Sequence, residues 1–338
     1  MKIESHVLFN RIYDTLKIKG VNEECSRATA ECMVLADLYG IATHGSVVLP
    51  SHIKRIEKGG YNLNPKFEVI SESNSFAVID ANNSIGFASA CYCMRFAMKR
   101  AQENGMFSVF SRNANAYGAA SCYAMMAAQE GMIGITCCNS PTAMAPIGGK
   151  EKLFGTNPLS VVIPTGDDEP IIIDMATSKV AKSRFLQMKR EGKPLGEGWA
   201  LDMNGRPTND PDEGIQGLVC PMEGFKGYGL ALVIDVLAGL LSGAAWQNKV
   251  NRFYNEKGDP MNVGHLFIAI APDKIMGASY WDLIKAYVAN IRNSARVEEK
   301  RPIAVPGDDK HIAKKRNLAE GIEINDATAE AIGIMKSL

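Results

Sequence analysis

Between residues 76 and 138, short apolar runs alternate with helix-like stretches rich in small residues, and this alternation restricts the possible folds most. Residues 76–80, 106–110 and 132–138 have strand length and composition, while 86–104 and 119–130 have helical spacing. A β-α-β-α-β order predicts a layered α/β domain. Further strands are predicted at 159–163, 171–174 and 265–271, and helices at 179–191 and 227–241.

The ends of the chain read differently. Leu8, Ile12 and Leu16 repeat every four residues up to Gly20. A second helical segment runs from about Glu24 to Gly40, and a third carries Ile53 and Ile56 up to Gly59-Gly60. Each stops on glycine, the residue best suited to a left-handed cap. From Tyr280 to about Glu320 the chain is helical again. The expected division is a helical part, 1–72, packing with a helical part, 280–338, beside an α/β domain at 73–279.

The balance of 37 Lys+Arg against 37 Asp+Glu removes the broad field that nucleic-acid or anionic-membrane binding needs, so neither partner is expected. The apolar stretch 229–246 is interrupted by Asp235 and short for a span, which predicts a buried helix. The first residues lack the basic start and apolar run of a signal peptide. The eight cysteines fit neither zinc-ligand nor thioredoxin spacing. Reduced buried thiols, no metal site and a cytoplasmic location are the expectations.

No G-x-x-x-x-G-K-[ST] occurs, and no G-x-G-x-x-G follows a predicted strand, which argues against P-loop and ordinary Rossmann sites. Three glycine-bearing stretches remain: residues 145–158, Gly224-Phe-Lys-Gly-Tyr-Gly229 and Val305-Pro-Gly-Asp308. Their backbones could approach a ligand, with Lys150 or Lys226 on an anion, or they could be surface turns. Thr43-His44-Gly45 lies between predicted helices, where a histidine can be a general acid or base or a structural group. The other histidines have plainer settings: His6 near the terminus, His52 and His311 in polar helical stretches, His265 at a strand start. Asp174 ends an apolar strand, a position used both for site residues and for helix caps. Asn139-Ser140 ends another strand, without the G-x-S-x-G elbow of a serine nucleophile.

Taken in order, these segments resemble the type 2 malate/L-lactate dehydrogenases. The matching residues are Thr43-His44-Gly45, Asn139-Ser140, Pro146-Ile-Gly-Gly149, Gly155-Thr-Asn-Pro158 and Asp174-Met-Ala-Thr-Ser178. Gly198-Trp-Ala200, Pro207-Thr208, Asp210-Pro211, Lys226-Gly-Tyr-Gly-Leu230 and Pro306-Gly307 follow, so coverage is nearly end to end. Glu320-Gly-Ile-Glu-Ile324 and the surroundings of Gly59-Gly60 look most like the ureidoglycolate dehydrogenase branch.

The resemblance implies an α/β fold distinct from the Rossmann dehydrogenases, with a central mixed-sheet cofactor domain and helical N- and C-terminal parts. It implies a homodimeric NAD(P)-dependent oxidoreductase, NAD slightly favoured over NADP. The hydride would pass between nicotinamide C4 and a small 2-hydroxy/2-oxo acid or related substrate of malate, lactate or ureidoglycolate type. Cofactor contacts are implied at Ser140, at Ile172, Ile173, Asp174, Met175 and Ala176, at Lys226 and Gly227, and at Pro306, Gly307 and Asp308. His44 is the implied proton-transfer residue, with Thr43 where serine is usual and Asp174 in support, by orienting His44.

Two departures fall on the substrate side. The family pattern H-G-x-x-R-x-P reads His44-Gly-Ser-Val-Val48-Leu-Pro50 here, so Val48 stands in place of a carboxylate-binding arginine. The pattern N-S-N-H-[FY]-G reads Asn113-Ala-Asn-Ala116-Tyr-Gly118, so Ala116 stands in place of an acid/base histidine. The alternative reading is therefore a cofactor-binding member with an altered substrate or without catalysis.

Overall fold

The computed structural model describes residues 1–167, 169–255 and 258–334. At its centre is a seven-stranded mixed sheet. Its strands lie in the order Glu68–Glu72, Phe76–Asp80, Met106–Ala114, Val263–Ile270, Ile133–Cys138, Leu159–Ile163 and Ile171–Met175. Phe76–Asp80 and Met106–Ala114 are parallel across the helix Gly86–Asn104, and every other pairing is antiparallel.

The strand of this sheet that comes last in sequence lies in its middle. Val263–Ile270 is apolar apart from His265 and almost wholly buried, so it is most stable with both neighbours paired and both faces covered. It separates strands 106–114 and 133–138, which follow one another in sequence. Every expected strand is present. Glu68–Glu72 was not expected, because all five residues are exposed and show no alternation of apolar and polar burial.

Helices Ser5–Ile18 and Glu23–Leu38 pack through Gly86–Asn104 onto the sheet and share one apolar core with it. Gly20, Gly40 and Gly59, at the ends of the first three helices, have φ of 85°, 74° and 71°, as the capping argument requires. The two ends of the chain meet where Lys2–Ile3 pairs with Ile322–Glu323. The expected helix 179–191 is narrower, Ser183–Arg190. The expected helix 227–241 is Phe225–Ile234 followed by a π-helical segment, Asp235–Leu240. The C-terminal helical region is two helices, Ser279–Arg292 and Asp308–Glu320, because Pro302, Pro306 and Gly307 occupy the stretch between them. No helix among the described residues is long and apolar enough to cross a membrane.

The π-helical segment is pressed directly onto the central strand. A Cβ added at Gly264 would lie 1.7 Å from the Ala238 carbonyl oxygen. Gly264→Ala is expected to destabilise the fold by about 1–3 kcal/mol, the usual range for overpacking. Urea denaturation reads this as a lower midpoint, and an unchanged midpoint would show that the contact yields without cost.

Candidate active site

A cavity of about 550 Å³ opens where the C-terminal ends of strands 133–138 and 171–175 meet the 40–44 turn. It brings together Thr43, His44, Ala116, Tyr117, Asn139, Ser140, Asp174, Met175, Ala176, His265 and Lys310.

The His44 turn is held from below by a carboxylate. The Ser46 backbone N–H donates to Asp37 Oδ2 at 2.9 Å. A Cβ on Gly45 would fall 1.9 Å from Asp37 Oδ1, so only glycine lets the carboxylate come this close. Burial pushes the Asp37 carboxyl up to about 6, against the lowering effect of its bonds to Ser46.

Thr43 Oγ1 lies 2.8 Å from His44 Nδ1. That contact leaves Nε2 without a protein partner among the described residues. His44 opens into the cavity, yet the surrounding protein replaces enough water to lower its pKa, while Asp174 pulls the other way. Asp174 is raised by burial, opposed by its bond from Ser121 and by the charges of His44 and Lys310. No hydrogen bond links Asp174 to His44 among the described residues. The Asp174 carboxylate instead accepts the Ser121 N–H at 3.1 Å, at the start of the helix Ser121–Gln129. It thus caps a helix, but one that precedes it in the chain, and it acts on His44 through charge alone.

The turn after strand 133–138 is fixed by side-chain amides. Asn139 donates to the Ala245 carbonyl at 2.7 Å and to Asp235 at 3.2 Å, and accepts from the Gly264 N–H at 2.9 Å. The Ser140 N–H donates to Asn157 Oδ1 at 3.0 Å, and Gly155 sits so close that a Cβ there would lie 2.2 Å from Ser140 Oγ.

The other sequence-predicted cofactor residues follow the sheet's edge strand. Ile172 N–H donates to the Pro306 carbonyl at 2.9 Å, and a Cβ on Gly307 (φ 107°) would lie 2.9 Å from Ile172 N. Met175 and Ala176 reach the cavity, and Ile172 is buried beneath the helices. Beyond them Met222 N–H donates to the Thr177 carbonyl at 2.9 Å, and a Cβ on Gly227 would lie 2.3 Å from that same oxygen. Lys226 is exposed in the first turn of the helix Phe225–Ile234 with no carboxylate partner among the described residues. Lys226, Gly227 and residues 306–308 flank the cavity rather than line it. The Asp308 carboxylate is engaged by both terminal nitrogens of Arg292, which holds its pKa down and pins the loop.

Of the two positions expected to depart from the family pattern, Ala116 lines the cavity, whereas Val48 is half-buried against the helical core and outside the lining. Three histidines with plain settings in the sequence are buried. His52 is 2.8 Å from Tyr61 Oη, and His311 Nε2 is 2.8 Å from the Pro170 carbonyl. Their helices are polar on the outside only, and the imidazoles face inward. His265 lines the cavity, as do Tyr117 and Lys310, none of which sequence patterns had singled out. A lone histidine inside an otherwise apolar strand was the available signal for the first.

A family model described as malate/L-lactate dehydrogenase matches residues 3–333. The malate dehydrogenase of Pyrococcus horikoshii is 37% identical over 96% of this chain and 91% of its own length. Ureidoglycolate dehydrogenase (NAD(+)) of Escherichia coli strain K12 is 34% identical over 96% and 93%. The solved sulfolactate dehydrogenase of Methanocaldococcus jannaschii superposes with a TM-score of 0.91 at 35% identity, covering 98% of this chain and 95% of that one.

The raised Asp37 pKa predicts a specific pH dependence. The folded state holds this proton up to about pH 6, whereas an unfolded aspartate loses it near 3.9, so Asp37 makes stability fall as pH rises between those values. Asp37→Asn should remove this part of the decline. Its stability relative to the parent protein should therefore rise from about pH 4 to pH 6 and then level off. A difference that stays flat across denaturation curves in that window would contradict the assignment.

Proposed function

The chain belongs to the malate/L-lactate dehydrogenase family, and from that premise we propose an NAD(P)-dependent oxidoreductase acting on a small 2-hydroxy or 2-oxo acid. The observation that carries this reading is the convergence of the His44 turn, the 139–141 turn and the 174–176 strand end on one cavity.

The residues along the edge strand fit a dinucleotide. Lys226 has no carboxylate partner among the described residues and lies in the first turn of a ten-residue helix, where backbone N–H groups also favour phosphate. Gly307 and Gly227 bring backbone close to the strand without a side chain in between. When bound, the nicotinamide gives or takes the hydride. His44 accepts the substrate hydroxyl proton through Nε2 during oxidation and returns it during reduction. Its lowered pKa keeps the accepting, neutral form populated at neutral pH. Thr43 fixes the ring through Nδ1, and the Asp174 carboxylate favours the imidazolium that forms. The non-catalytic alternative is weaker, because Thr43, His44 and Asp174 remain assembled; Ala116 alters the lining instead. NAD slightly ahead of NADP remains the preferred cofactor.

A homodimer is part of the same proposal. Phe225, Leu232, Val236 and Leu240 form an exposed apolar stripe along one helix, beside exposed Val233 and Leu241. The helical ends, 1–72 and 280–338, would pack together beside a cofactor domain at 73–279, as the pairing of Lys2–Ile3 with Ile322–Glu323 suggests. Eight free thiols fit the reducing conditions of the cytoplasm.

Thermal-shift titrations with NADH and NADPH test the reading. Cofactor at about a hundred times its dissociation constant stabilises the fold by about 2.7 kcal/mol. Lys226→Ala should shrink the shift, while His44→Asn should keep it and lower kcat by roughly a hundredfold or more. No shift with either cofactor would sink the proposal. Light scattering tests the dimer separately: Val236→Glu with Leu240→Glu should halve the mass, and an unchanged mass would move the interface elsewhere.

A further inference from the structure

His265 is wholly buried, and among the described residues neither ring nitrogen makes a hydrogen bond of ordinary geometry, the Asn115 backbone being the one protein group that acts on it as an acceptor. Its side chain forms part of the cavity wall. Ser111, directly opposite on the neighbouring strand, carries an unpartnered buried hydroxyl as well, so the two groups do not satisfy each other. A buried polar group without a partner points to a molecule outside the chain that supplies one. The ring cannot swing away to find it. It stacks on Tyr117 at 4.5 Å between centroids and 18° between planes, and meets Phe267 edge-on at 5.8 Å.

No charged side chain pairs with this imidazole among the described residues. Its neighbours in the wall are Ala116, Tyr117, Cys138, Met261 and Val263. The charged groups of the lining, Asp174 and Lys310, belong with His44 and influence one another there. The Asn139 amide in the wall already uses both its oxygen and its nitrogen within the protein.

We propose that His265 determines substrate specificity, by hydrogen bonding an uncharged polar group such as an amide or hydroxyl on the substituent of the 2-hydroxy acid. A second carboxylate at that position would face a neutral imidazole in place of a cation, so the dicarboxylic acid is disfavoured. Burial supports this by lowering the His265 pKa to about 3, with the Asn115 backbone opposing only in part, so the ring stays neutral and cannot form an ion pair. The inference rests on the oxidoreductase reading for the orientation of the substrate, with its reacting carbon at His44.

Malate and its 4-amide, malamate, have the same size and differ only in the charge of the distal group. Turnover of each with NAD and NADP, and calorimetric binding of each to the protein with cofactor, form the test. Malamate should be preferred in kcat/KM by roughly tenfold or more. His265→Phe keeps the ring that stacks on Tyr117 but should bring the ratio near one. The change should lie in KM, with kcat and NADH binding nearly unchanged, and His265→Gln should restore part of the preference. Equal or better use of malate by the parent protein overturns the inference. So does a ratio that His265→Phe leaves intact, which would mean that a resident water satisfies the imidazole. Failure of both compounds to bind at millimolar concentration overturns it too, with NADH binding deciding the oxidoreductase reading independently. Preferential binding of malamate without turnover of any 2-hydroxy acid would sustain the role of His265 and sink the reading on which its orientation rests.

Discussion

Burial of the strand Val263–Ile270 in the middle of the sheet is the constraint on which the site depends. Its backbone pairs with strands 106–114 and 133–138 on either side. That insertion places Ala116 and Tyr117, which follow the first neighbour, beside Asn139 and Ser140, which follow the second. At its start the Gly264 N–H donates to Asn139, and the absent Gly264 side chain admits the π-helical segment 235–240. Asp235 from that segment then accepts from Asn139 and from the Gln247 N–H. One glycine and one asparagine thus connect the sheet, the helix that presents Lys226 and the turn that presents Ser140.

The electrostatics of the cavity follow from the same close packing. His44 and Asp174 are each displaced first by loss of water and corrected second by a neighbour. His44 falls and Asp174 rises, and each partly restores the charged form of the other. The result is a pair of groups nearer to each other in proton affinity than either would be in water, a useful property for moving a proton at neutral pH. Asp37 works at one remove, beneath the turn, where its cost of ionisation is set against the backbone bond that fixes Ser46.

Much of this was legible in the sequence, and the exceptions share a cause. Periodicity identified six sheet strands, because each is an apolar run bounded by turns. It missed Glu68–Glu72, whose exposed side chains carry no pattern, and it could not place 263–270 between earlier strands, since strand order depends on pairings remote in sequence. Among the site residues, the motif stretches around His44, Ser140 and Asp174 do converge. His265 and Lys310 escaped because their meaning lies in which face of an element they occupy. The same limit explains Asp174, for which a helix cap was one of two readings and whose carboxylate is directed to Ser121, far earlier in the chain.

The two positions expected on the substrate side, Val48 and Ala116, are not equivalent. Val48 lies against the helical core outside the cavity lining, where an apolar side chain adds packing. Ala116 forms part of the wall beside Tyr117, and there a methyl group leaves His265 as the nearby polar side chain without a partner. A second titrating imidazole at position 116 would bring charge into this end of the cavity whenever it was protonated. With alanine there, no further titrating group is added to the wall beside Tyr117, and the two ends of the cavity differ in the side chains they present. Such a division lets proton transfer be tuned at one end without altering recognition at the other. Single substitutions near Tyr117 would alter this wall and leave the edge strand Ile171–Met175 untouched.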